Sequence, residues 1–283
     1  FLKRKYKIMN KVFIIGKGSN LSSFLSKKII NSKLISSREI LTNIEELNVL
    51  KDNLPINIIF NNFQPATKLN EFVNLENYVV NSILTTSKVL DFIKNNRIVV
   101  NKIIYTSSSS VYGNNILCNE NDELKPMNLH ASLKVANEKL VEKFCIENSI
   151  DYTIARIFNM YGGDDNFSII SKIIKAYKNN EELNIVNNGN AIRDFIHIED
   201  VVDIYSKILD KKDIKILNIG SGNGSSIKNI LDFLNNHNIK IKTKNIQREE
   251  LKISTADISK LKELLKKDTF FGVEDYLKKE LNI

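Results

Sequence analysis

With only 3 prolines and 10 glycines in 283 residues, the sequence has little of what breaks a chain, and a flexible hinge between independent domains is not expected. Cysteine is nearly absent too. Cys118 and Cys145 are too few for a disulfide framework or a zinc site, and this sets the expectation of a reducing, cytoplasmic location. Three histidines, with no cluster of acids at ligand spacing, leave a metal site unsupported. No apolar run approaches the roughly 20 residues that span a bilayer, so no membrane partner is expected.

What is present describes a globular protein. Hydrophobic residues make up 42%, enough for a sizeable core. The formal charge is +8, but the lysines are spread along the chain without an aromatic-plus-basic cluster, so nucleic acid is not the expected partner. A basic protein that handles diphosphate-bearing substrates accounts for the charge equally well. Residues 1–8 are basic with no long apolar stretch after them, and Met9 is a candidate start.

Short β-branched runs alternate with helical patterns. Strands are expected at residues 11–15, 33–35, 56–60, 102–106 and 152–157, with helices at 21–30, 78–94 and 129–148. Such alternation predicts an α/β fold: a Rossmann-type doubly wound parallel sheet with a smaller C-terminal substrate-binding lobe. Sheets of this kind bind ligands beyond the carboxyl ends of their strands. The division expected is a dinucleotide-binding domain over 9–158 and a mainly substrate-binding lobe over 159–283, interleaved because strands near 197–220 return to the first. After residue 162 the pattern loosens to a helix at 169–179, strands at 183–186 and 214–220, and a helical tail.

The first loop, Gly16-Lys17-Gly18-Ser19-Asn20-Leu21, has glycines that let backbone approach a pyrophosphate at a helix N-terminus, although a third glycine is missing. A plain strand-to-helix turn is the simpler alternative. The second strand ends in Ser36-Ser37-Arg38, where NAD sites usually place a carboxylate for the ribose hydroxyls. Ser37 and Arg38 suit a 2′-phosphate, which favours NADP(H) with NAD(H) as the alternative. Asn62 and Phe63, past the third strand, complete the expected cofactor set.

Three segments carry the most specific signal: Tyr105-Thr106-Ser107-Ser108-Ser109-Ser110-Val111-Tyr112-Gly113, Arg156-Ile157-Phe158-Asn159-Met160-Tyr161-Gly162 and Arg193-Asp194-Phe195-Ile196-His197. With Asn218-Ile219-Gly220-Ser221-Gly222 they resemble, in order and spacing, the extended short-chain dehydrogenase/reductases that act on nucleotide sugars. The resemblance implies a nicotinamide dinucleotide, a nucleotide-diphosphate sugar and a homodimer. It implies Ser108 as the catalytic hydroxyl, Lys134 as the lysine of the nicotinamide ribose, and Asn81 as a supporting asparagine. Ser109, Asn159, Arg193 and Arg248 would face the substrate, Arg248 at a spacing one residue short of the usual pattern.

One departure is plain. The family writes Tyr-x-x-x-Lys where this chain has His130-Ala131-Ser132-Leu133-Lys134, and no tyrosine occurs between Tyr112 and Tyr152. Spacing of i,i+4 keeps His130 and Lys134 on one helix face. Imidazole is a competent acid/base near neutral pH, and a nearby ammonium favours its neutral form. It is also shorter than phenol. Three readings stay open: His130 moves the proton itself or through water, it stands by while Ser108 and substrate hydroxyls react, or it marks a site that binds without turnover. The function expected is a 4-keto reductase or 4-epimerase, with a non-catalytic sugar-nucleotide-binding protein as the alternative. Ser109-Ser110 stand where dehydratases carry an Asp-Glu pair, which argues against elimination of water. His197, in the Phe-Ile-His segment, reads as a packed core histidine.

Overall fold

A computed structural model of the chain describes residues 10–62 and 75–283. The elements run β1 (Val12–Ile15), α1 (Asn20–Lys28), β2 (Ser32–Ile35), α2 (Ser37–Thr42), β3 (Ile56–Phe60), α3 (Leu75–Val79), α4 (Thr85–Asn95) and β4 (Val100–Ser108). Next come β5 (Leu117–Cys118), α5 (Leu129–Glu147), β6 (Asp151–Ile157), β7 (Asn159–Tyr161), α6 (Ile169–Asn179), β8 (Leu183–Val186), β9 (Ile192–His197) and α7 (Ile198–Ile208). The last are β10 (Ile216–Ile219), β11 (Gly224–Ser226), α8 (Ile227–Asn236), β12 (Thr243–Ile246), β13 (Ile253–Ala256), α9 (Ser259–Leu265) and α10 (Val273–Leu281).

The main sheet is α/β and Rossmann-like, in the strand order β10-β6-β4-β3-β1-β2. Its pairings β1–β2, β1–β3, β3–β4 and β6–β10 are parallel. Its strands are short apolar runs because helices cover both faces, so no polar alternation is needed: every residue of β1 and β3 is buried. The order reverses between β1 and β3. Ile15 pairs with Ile35 on one side and Phe60 on the other, so Gly16, Ser36 and Asn61 all leave the sheet at the same level. That is the position where doubly wound sheets take ligands.

Two compact units divide the chain: Phe1–Tyr105 with Ala136–Thr153 and Leu209–Lys215, and Thr106–Val135 with Ile154–Ile208 and Ile216–Ile283. The first holds β1, β2, β3, the helices α1 to α4 and most of β4. The second holds the smaller sheet β11-β9-β13-β5, with β7 also paired to β9, and the two-stranded β8–β12. A second-unit core forms where Ile170, Ile173 and Ile174 of α6 meet Ile230 and Leu234 of α8 and Leu277 of α10.

The structure differs from the sequence expectation in several places, the unexpected short strands β5, β7, β9 and β11 among them. β4 runs on to Ser108, so Ser107 and Ser108 end a strand rather than open a loop. The helix expected over 78–94 contains a π-helical turn, Val80–Leu84, a one-residue insertion to which apolar periodicity is blind. The tail is not wholly helical: β12 and β13 lie in it, and the Thr-Lys-Asn-Ile sequence of β12 is mostly exposed and has no apolar alternation to reveal a strand.

Candidate active site

In the first unit, Gly16 sits at φ 116°, and a Cβ there would lie 2.2 Å from the backbone oxygen of Asn61. Only glycine fits. Gly18 is the opposite case: a Cβ on it would meet nothing within 4 Å, so its backbone faces open space. Ser19 precedes α1 without capping it; its hydroxyl instead accepts from Asn61 Nδ2 at 2.8 Å, and Ser22 Oγ accepts from the same amide at 2.9 Å. Ser19 therefore gives the start of the helix no side-chain cap. Asn62 is buried, makes one long 3.5 Å bond to Thr86 Oγ1, and leaves Oδ1 without a partner among the described residues. An open glycine turn, an uncapped helix start and a buried orphan acceptor fit the phosphates and polar edge of a dinucleotide.

Other expected cofactor residues behave differently. Asn20 is half-buried beside the turn, while the side chain of Leu21 is committed to the core. Ser36 caps α2 by accepting from Glu39 N at 3.3 Å, Ser37 begins that helix, and Arg38 is exposed on it. Phe63 lies outside the described residues. Asn81 falls in the π-helical turn, where the next residue's carbonyl accepts from the buried Asn137 Nδ2 at 3.0 Å.

In the second unit, Lys134 is buried and donates to the carbonyl of Thr106 at 2.7 Å. That bond ties the start of α5 to the end of β4, two residues before Ser108. Ser108 Oγ accepts from Ser110 N at 3.2 Å, shaping the 3-10 turn that Ser109 begins. His130, one helical turn before Lys134, is 9% exposed. Burial first, and the Lys134 ammonium second, push its imidazole down to about 4, so it is neutral at pH 7. Tyr112 is no substitute for the missing tyrosine: it is fully buried, donates to Asn218 Oδ1 at 2.7 Å and accepts from Arg156 Nη1 at 2.9 Å.

A second cluster in this unit gathers the residues expected to face a diphosphate. Arg193, half-buried on β9, pairs with Glu250 at 3.2 Å. Asn187 Nδ2 donates to Glu250 Oε1 at 3.1 Å and to the carbonyl of Arg248 at 2.6 Å, which brings the Arg248 backbone to the same cluster. Asn159 Nδ2 donates to the carbonyl of Asp194 at 3.2 Å. Sequence reasoning missed Glu250, Asn187 and Asp194. Asp194 was adjacent to a named arginine, but nothing in the sequence revealed the pairing of residues 187 and 250. His197 is packed, as the sequence suggested: it is buried, with Tyr161, Phe271 and Tyr276 rings centred 5.2, 5.0 and 5.1 Å away.

Among the described residues no group of three or more His, Cys, Asp or Glu could hold a metal ion, and no helix is long and apolar enough to cross a membrane. Fold and motifs together define an extended short-chain dehydrogenase/reductase. More narrowly, the chain belongs to the NAD dependent epimerase/dehydratase family, which it matches over residues 20–220. It is 33% identical over 135 residues to ADP-L-glycero-D-manno-heptose-6-epimerase of Brachyspira hyodysenteriae, covering 44% of this chain and 42% of that protein. It is 29% identical over 163 residues to UDP-glucuronate 4-epimerase of Thermodesulfobacterium geofontis, covering 56% and 50%. The matched part spans about half the length of such curated relatives. Among solved structures, UDP-glucuronic acid 4-epimerase of Bacillus cereus in complex with UDP-glucuronic acid and NAD superposes with a TM-score of 0.81 at 23% identity, covering 96% of this chain and 98% of that one. RMD from Pseudomonas aeruginosa complexed with NADPH gives 0.83 at 19%, covering 97% and 98%. At these identities the structures show the fold.

Proposed function

We propose that the chain is an NAD(P)-dependent nucleotide-sugar oxidoreductase, a 4-keto reductase or 4-epimerase of a nucleotide-diphosphate sugar. The observation that carries this reading is the Lys134–Thr106 bond, which fixes a buried cation and, one turn earlier, a neutral imidazole on the helix tied to the strand ending in Ser108. Ser108 would hold the reacting sugar oxygen. His130 would take or give its proton at an imidazole nitrogen, directly or through one water. Lys134 would bind the nicotinamide ribose and keep that imidazole neutral, with Asn81 in support. A bound nicotinamide supplies hydride transfer at the sugar carbon.

Residues 9–158 would serve mainly the dinucleotide, through Gly16, Gly18, Ser19, Asn20, Ser37, Arg38, Asn62 and Phe63. Residues 159–283 would serve mainly the substrate, through Asn159, Arg193 and Arg248, with Ser109 added from the first part. NADP(H) is favoured over NAD(H) because the segment after β2 offers Ser36, Ser37 and an exposed Arg38 and no carboxylate before Glu39. NADPH suits net reduction, which places the reductase ahead of the epimerase. A cytoplasmic homodimer completes the proposal.

A second reading, a sugar-nucleotide-binding protein without turnover, draws on His130 itself, whose side chain is shorter than the family's tyrosine. The test is incubation of the purified chain with NADPH or NAD and a panel of 4-keto and 4-hydroxy nucleotide sugars, followed by NMR of the sugar. Reduction or 4-inversion supports the enzyme. Cofactor and sugar-nucleotide binding with no change in any sugar supports the second reading.

A further inference from the structure

Asp194 is fully buried, and four donors meet its carboxylate. Oδ1 accepts from Ser221 N at 2.7 Å and Ser221 Oγ at 2.8 Å; Oδ2 accepts from Gly222 N at 2.9 Å and Ala256 N at 3.1 Å. The two backbone amides on Oδ2 and the one on Oδ1 can only donate, and the carboxyl oxygens accept all three, while burial raises the group's pKa above the ordinary carboxylate value. The sequence makes room for the group at Gly220, where a Cβ would lie 2.7 Å from Oδ2. This one side chain thus joins β9 to the turn after β10 and to the end of β13.

The same residue reaches the diphosphate-facing cluster through its backbone. It follows Arg193 directly, and its carbonyl accepts from Asn159 Nδ2 at 3.2 Å. β13 lies parallel to β9, with Ser254 opposite Arg193, and the chain leading into β13 carries Glu250, the ion-pair partner of Arg193. The placement of Arg193, Asn159 and Glu250 therefore shares one anchor. We infer that Asp194 is a positioning residue for the nucleoside-diphosphate end of the substrate: its carboxylate locks β9 to β13 and to the turn after β10, and so holds Arg193 and Asn159 where a diphosphate is bound. This rests on the nucleotide-sugar reading above. Asp194 touches no substrate in this account, since its side chain is sealed from solvent and saturated by protein donors.

The test is isothermal titration of the full chain with UDP, GDP, ADP and dTDP, and separately with NAD and NADPH, for wild type, Asp194→Asn and Ser221→Ala. Asp194→Asn sets an amide N–H against a backbone donor. It is expected to weaken the preferred nucleoside diphosphate about tenfold, about 1.4 kcal/mol, while cofactor affinity changes less than about twofold. For any sugar that turns over, KM rises by more than kcat falls. Ser221→Ala removes only the hydroxyl donor and is expected to weaken the same ligand about threefold, a loss of less than about 1 kcal/mol; if Asp194→Asn does not fold, this variant decides alone. Unchanged diphosphate affinity overturns the inference, as does an equal loss of cofactor affinity, which would mark a general loosening of the fold. If wild type binds none of the four diphosphates, the nucleotide-sugar reading fails and takes this inference with it. Binding to wild type that the variants leave intact sinks this inference alone.

Discussion

In the proposed reading the turn after β1 and the cluster on β9 both take anions, and they are built from opposite materials. At the turn the groups on offer are backbone: Gly16, the open face of Gly18 and the start of α1, with Ser19, Ser22 and Asn61 side chains bonded to one another beside them. At β9 the groups are charged side chains, Arg193 against Glu250, whose positions depend on further hydrogen bonds through Asn187 and Asp194. A backbone site is insensitive to pH and to most substitutions but fails where a glycine is lost. A side-chain site tolerates backbone change better and depends on charge and on its supporting partners. The helix from Leu129 is a further case of the second kind, because burial first and the Lys134 ammonium second keep its imidazole neutral.

The largest effect is expected at His130. His130→Ala should lower turnover by about 10²- to 10⁴-fold, the usual scale for losing a general acid/base, and leave cofactor affinity intact by titration. His130→Tyr should keep or raise turnover, because a phenol reaches further; a large loss would show that the imidazole is specifically needed. An unchanged rate in His130→Ala would move the proton transfer elsewhere.

Next is Gly16→Ala. It forces a side chain into φ 116° and against the Asn61 carbonyl, which should cost on the order of 1–3 kcal/mol in a denaturant melt and abolish dinucleotide binding. A neutral outcome would mean that the turn is not the rigid anion cradle described. Lys134→Met should cost a similar amount, about 1–3 kcal/mol, because the Thr106 carbonyl loses its buried donor.

Protonation sharpens the contrast. His130 is lowered to about 4 in the folded chain from an ordinary value near 6.5. Between those two values the unfolded chain binds the extra proton, so this group's contribution to stability is complete above about 6.5 and is lost as pH falls toward about 4. Denaturant midpoints of wild type should therefore drop more steeply over that window than those of His130→Gln. Parallel curves would contradict the buried, neutral imidazole. The smallest effect is expected at Arg38, which is exposed: Arg38→Asp should shift preference from NADP toward NAD by a few-fold, since a solvated charge pair is worth at most about 1 kcal/mol. Unchanged relative affinity would remove the argument for NADP(H).

Much of this was legible in the sequence because the informative residues lie at strand ends. The runs that became β1 and β3 are buried throughout, so Gly16 and Asn62 were expected just past strand ends, and the structure has them there. The motif segments likewise pointed to Ser108, Asn159 and Arg193, whose roles stand as proposals. The π-helical turn around Asn81 was not legible, since an inserted residue leaves the amphipathic pattern readable on both sides. Nor was the Arg193–Glu250 pair, which joins positions 57 residues apart; β12 and β13, near Glu250 in the chain, are short, and β12 is largely solvated. Four donors converging on Asp194 come from the turn after β10 and from the end of β13, and only folding brings them together.

The most direct test of the central claim follows NADPH carrying deuterium on the transferable position, incubated with a 4-keto nucleotide sugar and the purified chain, with the sugar product read by mass spectrometry. Deuterium at the sugar carbon in wild type, and its loss in His130→Ala at undiminished cofactor affinity, is the predicted result. Tight binding of both ligands by wild type with no label in the sugar, and no 4-inversion of any nucleotide sugar supplied with NAD, would contradict it.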